Sequence, residues 1–281
     1  MAQATSPVGT PFPSPELRRE LMNGLGLLAA GANVVMQLAR LEIGHGVARS
    51  RVESGSLTRH PFKRTRTTLG YVTVALLGTD EDRLALRREV NRQHRQVRSG
   101  PGDPVAYDAF DPELQLWVAA CLYRGTLDAL ALATDELEPA RLDELYRLAS
   151  RFATTLQVPP ARWPVDRAAF ETYWTDAIGT VTMDDLTREY LWGIVSLTFL
   201  PRPFSTLLGP WHRVITAGYL PDVIRTELGL AWNPSRAHLF GATQRTARWI
   251  NRRLPTVLRA FPLNLALWDA QRRLRSGRPF V

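Results

Sequence analysis

The stretch from Asp111 to Leu132 restricts what this chain can fold into more than any other. Asp111-Pro112-Glu113 is a helix start, with an aspartate able to cap the first free N–H groups and a proline at the first helical position, where no N–H is missed. From Leu114 to Leu132 the residues are then apolar on most sides. A helix with so little polar surface has to lie among other helices, because none of its faces can be given to water.

The rest of the chain supplies those neighbours. Apolar residues recur at helical spacing along most of it, and runs with strand-like alternation are scarce. Glu16 to Val52 reads as one or two helices, with glycines at 24, 26, 31, 44 and 46 marking close packing or a break. Pro61 is well placed at a first helical turn, and the apolar run from Leu69 to Leu77 ends at Gly78. Thr79 followed by Asp80, Glu81 and Asp82 offers a capping hydroxyl and first-turn acids to a helix expected to reach about Arg98 and stop at Gly100-Pro101. Further helices are expected at Pro139 to Leu156, Asp166 to Thr180, Asp184 to Phe199, Phe204 to Gly218 and Ser235 to Leu254, separated by proline-punctuated loops. With no repeat and no linker in view, the expected architecture is all-α, a flexible leader over residues 1–15 and one multi-helix domain over 16–281.

Composition narrows the partners. Of 281 residues 45% are hydrophobic and 22% charged, which supports a buried core and excludes wholesale disorder. The formal charge of +8 raises the question of nucleic acid. Lys63, however, is the one lysine among 35 basic residues, and the arginines run the length of the chain instead of forming a tail, so no nucleic-acid partner is expected. Cys121 alone can form neither an intramolecular disulfide nor a cysteine-based metal site, which suits a reducing, cytoplasmic setting. The N-terminus lacks the pattern of a signal peptide. The apolar stretch from Leu25 to Ala39, at 15 residues, is shorter than the roughly 20 that span a bilayer, so no transmembrane segment is expected.

The common catalytic signatures are missing: there is no GxSxG elbow, no GxxxxGK[ST] loop and no HExxH pair. The glycines at 24, 26 and 31 are misplaced for a dinucleotide turn and follow a charged helical segment. Five histidines, at 45, 60, 94, 212 and 238, are too dispersed for a local metal site. Haem asks for less, because four pyrrole nitrogens already hold its iron; one histidine on an apolar face suffices, with arginines or hydroxyls near for the propionates. His94 meets that description, with Val90 four residues before it and Val97 three after it on one expected helix face, and Arg98 one expected turn above. From periodicity alone, a hydrogen-bonded core histidine is the simpler account. Arg64 and Thr68, four apart on one face, can share an anionic oxygen of a propionate or phosphate, although spacing alone reads them as a solvated helix start.

Taken in order, Gln37-Leu38-Ala39, Gly46-Val47-Ala48, Arg64-x-x-x-Thr68, Gly78-Thr79, His94-x-x-Val97, Tyr107-x-Ala109-x-Asp111-Pro112-Glu113-Leu114 and Trp117-Val118 resemble the oxygenase family that includes the rubber oxygenase (latex-clearing protein) catalytic domain and the MpaB-type oxygenases. The resemblance covers roughly Glu16 to Leu132 and extends more loosely to Leu220-Pro221-x-x-x-Arg225 and Trp232. It implies an all-helical fold with a buried pocket for haem b between helices, His94 as the iron ligand, and Arg64 and Thr68 lining the pocket, with Arg98 a further candidate for a propionate. It also implies a reaction, oxidative cleavage of carbon–carbon double bonds in isoprenoid or lipid-like chains by dioxygen. His94 as haem ligand thereby becomes the preferred reading.

Three departures accompany it. Thr67 stands where the rubber oxygenase has a haem-facing lysine, Asn91 where that enzyme has an arginine before the histidine, and Ala39-Arg40-Leu41 where the family commonly has Ala-His-Pro. Thr67, Glu42 and His45 are the candidates for distal or base roles. His45 also reads as a surface or capping histidine, Glu42 as a salt-bridge partner, Asp111 as a cap and Trp117 as core. The alternative is a helical protein that binds haem or an apolar ligand without catalysis; a third is a cofactor-free interaction protein. A lipid-like substrate leaves room for peripheral membrane contact, for which no basic amphipathic face argues specifically.

Overall fold

The cap signals of the sequence are made as hydrogen bonds in the computed structural model, which describes residues 12–49, 59–134 and 138–280. In chain order these residues form α1 (Pro15–Leu21), a 3-10 segment (Gly24–Ala29), α2 (Ala30–Leu38), α3 (Leu41–Ala48), α4 (Pro61–Leu77), α5 (Asp80–His94), α6 (Pro112–Ala133), α7 (Pro139–Thr155), a 3-10 turn (Pro160–Arg162), α8 (Arg167–Gly179), α9 (Asp185–Val195), α10 (Arg202–Tyr219), α11 (Asp222–Glu227), α12 (Pro234–Arg253), α13 (Thr256–Ala260) and α14 (Leu263–Arg275). Among the described residues there is no strand, only an isolated antiparallel bridge between Arg98 and Asp108. Residues 1–11 of the expected leader lie outside the described residues, as do 50–52 of the expected Glu16 to Val52 helices.

The apolar helix read from Asp111 onward is α6, and it is central. The Asp111 carboxylate accepts the N–H groups of Glu113 and Leu114 at 2.7 and 3.3 Å. α1, α2, the 3-10 segment, α7 and α12 all pack against the helix this cap opens. Trp117 is fully buried, stacked on Trp174 of α8 at 5.4 Å, and donates its indole N–H to the carbonyls of Met36 and Gln37 at 3.1 and 3.2 Å. One turn and a half further on, Tyr123 meets Tyr146, Trp163 and Phe170 edge-on. Cys121 is buried as well, and burial pushes its thiol pKa well up, which keeps it an unreactive packing residue. By length and composition α6 could also cross a membrane, and α1 with the segment up to Leu38 would do so only as a pair bent by 45°. More than half of α6 is buried within the protein.

Three expectations are corrected. The helix or helices expected over Glu16 to Val52 are four elements up to Ala48, breaking at Asn23 and at Ala39-Arg40 and passing from 3-10 to α at Ala30. α9 ends at Val195 rather than Phe199, because Leu197 adopts φ +55° and Thr198 donates to the Gly193 carbonyl, a left-handed helix stop carried by leucine where the sequence offers no glycine. α5 ends at His94 and not near Arg98: the N–H of Val97 turns back to the His94 carbonyl, and the chain continues as a loop pinned by Ser99 N–H to Tyr107 O and Ala109 N–H to Val97 O.

α14 lies along α4, the helix that carries Arg64 and Thr68. Gly70 permits the approach, since a Cβ there would stand 3.0 Å from the Phe280 ring and 3.2 Å from Ala270. Asp82, which closes the capping box with Thr79, also accepts from Gln271 at 2.7 Å and pairs with Arg275, tying α14 to α5.

Candidate functional site

α4, the end of α5 and α9 place their polar residues together. Arg64 is exposed by surface area, although its surroundings lower the guanidinium pKa from the ordinary arginine value by desolvation, an effect that Tyr190 partly offsets. Tyr190 of α9 lies close enough to act on it electrostatically, and burial raises the phenol's own pKa. His94 shares this environment. Desolvation first, and then the Arg64 charge, depress its pKa to about 4, against a smaller opposing pull from Asp108. Its ring meets Phe110 edge-on at 6.2 Å.

The five histidines now separate. His45 and His212 are committed, to the Asp184 carboxylate at 2.6 Å and to the Val195 carbonyl at 2.9 Å. His60 and His238 face solvent. His45 also has a buried Nδ1 without a partner, but its Nε2 is spent on Asp184; His94 is sheltered, neutral at pH 7, and neither of its ring nitrogens has a hydrogen bond seen among the described residues. A neutral imidazole with an unspent ring nitrogen is a donor that suits haem iron, and an arginine within electrostatic reach of it suits the carboxylates of a porphyrin. Among the described residues no three His, Cys, Asp or Glu side chains gather as an ion site, so a metal held by several protein ligands finds no set there.

The other expected site residues fall elsewhere. Thr67 is buried and its hydroxyl donates to the Arg64 carbonyl at 2.9 Å, within α4, while Thr68 is partly exposed. Arg98 does not stand one turn above His94, because the helix has ended; with Glu42 it lines a recess of about 430 Å³ that also includes Ser99, Tyr107 and Asp108, the carboxylate that acts on His94. His45 is buried and anchors α3 to the start of α9. Burial would raise the pKa of Asp184, but the Thr187 N–H and the His45 ring outweigh it and hold the carboxyl at about 2. Asn91 accepts from the Gln157 side chain and so ties α5 to the end of α7. Tyr190 went unnoticed in the sequence, where nothing marks one tyrosine of α9 as facing Arg64.

The His94 shift sets a pH dependence. Unfolded, the ring takes up its proton near pH 6.5; folded, only near pH 4. Between these values the unfolded chain holds more protons, so stability falls as pH falls, by up to about 3 kcal/mol at pH 4 and below. Urea unfolding of the protein without added haem from pH 7 to pH 4.5 is expected to show this slope, and His94→Gln to lack its share.

Residues 18–251 match the family model described as ER-bound oxygenase mpaB/B'/Rubber oxygenase, catalytic domain. An uncharacterized protein of Mycobacterium tuberculosis and one of Mycobacterium bovis are each 43% identical over 255 residues, spanning 91% of this chain and 100% of their own length. No solved structure matches the chain.

Proposed function

The chain belongs to the mpaB and rubber oxygenase catalytic-domain family, and from that membership we propose that it is a haem b-dependent oxygenase acting with dioxygen on an apolar, isoprenoid or lipid-like substrate. The observation that carries this reading is His94, the one histidine that is both sheltered and uncommitted, within electrostatic reach of Arg64.

In this reading His94 holds the iron and Arg64 neutralises a propionate, with the Thr68 hydroxyl on the same face of α4 as a second donor. Bound haem would supply the one-electron chemistry that makes dioxygen reactive toward a carbon–carbon double bond. The protein's part is orientation and dryness. Because its folded pKa is about 4, His94 stays a neutral ligand throughout the physiological range. Tyr190, whose pKa burial raises, remains a phenol that can donate its O–H close to Arg64. Thr67 donates a hydrogen bond from its hydroxyl to the Arg64 carbonyl, which leaves its oxygen an acceptor. Of the two base candidates, His45 is held by Asp184 and Glu42 lines the recess shared with Arg98.

Hemin titration followed by oxygen uptake with polyprenyl or polyunsaturated substrates tests the reading. A stoichiometric Soret band and substrate-dependent uptake that yields carbonyl products are expected. No band under good reconstitution would overturn haem dependence; a band without uptake on any such substrate would leave a haem-binding protein that is no oxygenase. Arg64→Ala is expected to weaken haem retention by roughly 10- to 100-fold, the worth of one hydrogen bond to a charged group, and unchanged retention would remove the propionate assignment.

A further inference from the structure

The positive charge of the chain is concentrated at one end. Residues 234–281 hold ten arginines against one carboxylate, Asp269, a net +9, which leaves residues 1–233 at −1. The arginines alone run through the whole sequence; it is the acids that stop. These residues build α12, α13 and α14, and their outer side is apolar to an unusual degree. Trp249, Val257, Leu258, Phe261, Leu265 and Trp268 are each between 52% and 71% exposed. Six large apolar side chains within twenty residues are more than the scattered exposure normal for a folded protein.

The three helices form one surface. Arg259 of α13 donates to the carbonyls of Leu254 and Arg252 at 2.7 and 2.8 Å, which pins α13 against the end of α12, and α13 packs on α14. Guanidinium groups and aromatic rings are interleaved on it: Arg253 sits 3.8 Å over Trp249, and Arg272 5.3 Å over Trp268. α10, joined to α12 by the Trp211 indole and Thr243, borders it with the exposed stripe Phe204, Leu207 and Leu208.

We propose that α12, α13 and α14 form a docking surface for an anionic lipid bilayer. Charge complementarity selects the sign of the partner: arginines with few acids among them are attracted to a surface of acidic headgroups. The aliphatic side chains select its kind. Val257, Leu258 and Leu265 gain nothing on a phosphate backbone but enter the acyl boundary of a bilayer, with tryptophans and snorkelling arginines at headgroup level. A second copy of this chain presents the same +9 and is repelled. No single helix here is a strong amphipathic anchor, and the face exists because three short helices are folded side by side.

Co-sedimentation of the full chain with vesicles of phosphatidylcholine plus phosphatidylserine, and with phosphatidylcholine alone, tests this. Binding is expected to be ~10-fold or more tighter on the anionic vesicles and to weaken with salt. Trp249→Asp with Trp268→Asp, and independently Leu258→Asp, should each lower binding several-fold while thermal stability is kept, since all three side chains face solvent. Arg253→Glu with Arg272→Glu should remove most of the preference for acidic lipid. Equal affinity for both vesicle types, unchanged binding by these variants, tighter binding to duplex DNA than to anionic vesicles, or a dimer that buries the face in light scattering would each overturn the proposal.

Discussion

His94→Ala is expected to leave a folded protein that no longer takes up hemin. The Soret band should vanish and affinity fall by ~100-fold or more, since even loss of a residue that merely supports a metal ligand costs 10- to 100-fold. The fold should survive, because the ring lies at the end of α5 and makes no hydrogen bond seen among the described residues. The stability slope between pH 6.5 and 4 should flatten at the same time, as removing the buried neutral imidazole removes the protons taken up on unfolding. These two readouts are independent, one requiring haem and the other its absence. Full haem retention in His94→Ala would move the ligand elsewhere, whatever the pH profile.

Trp117→Ala should produce the largest loss of stability. The ring is 0% exposed, stacked on Trp174, and its N–H serves the carbonyls of Met36 and Gln37 near the end of α2, while Arg40 lies over its face at 5.6 Å. Truncation opens a cavity at the meeting of α2, α6 and α8 and leaves carbonyls without their donor. About 3–5 kcal/mol should be lost, a fall in Tm of roughly 6–15 °C for a chain of this size. Trp117→Phe keeps most of the apolar area and loses the N–H, and should cost about 1–2 kcal/mol. Calorimetry or urea unfolding checks both, and an alanine cost under 1 kcal/mol would contradict the central place of α6.

The parts of this fold legible in the sequence are those with local causes. Asp111, Thr79, Asp166 and Asp184 cap the helices they were expected to open, because an N-cap acts on its own next three residues. α14 is not legible there: its few apolar positions lie among arginines shortly after two prolines, and its reason for existing is the groove at Gly70 of α4, a partner almost 200 residues away. The stop of α9 at Leu197 was unread for a related reason, since packing holds a leucine where local preference asks for glycine.

The candidate site divides in the same way. Residue type, order and helical spacing were enough to single out His94, Arg64 and Thr68, because a resemblance carried by several short motifs is a property of the chain alone. Tertiary structure decided which of these groups is desolvated, that Tyr190 joins Arg64, that Arg98 lies beyond the end of α5 in a recess with Glu42, and that His45 is already spent on Asp184. It also assembled, from α12, α13 and α14, a basic and apolar face that no one helix displays. Sequence determines which side chains exist and how near neighbours are spaced along a helix. Burial, electrostatic neighbours and shared surfaces depend on distances through space between segments far apart in the chain, and only the packed structure sets those.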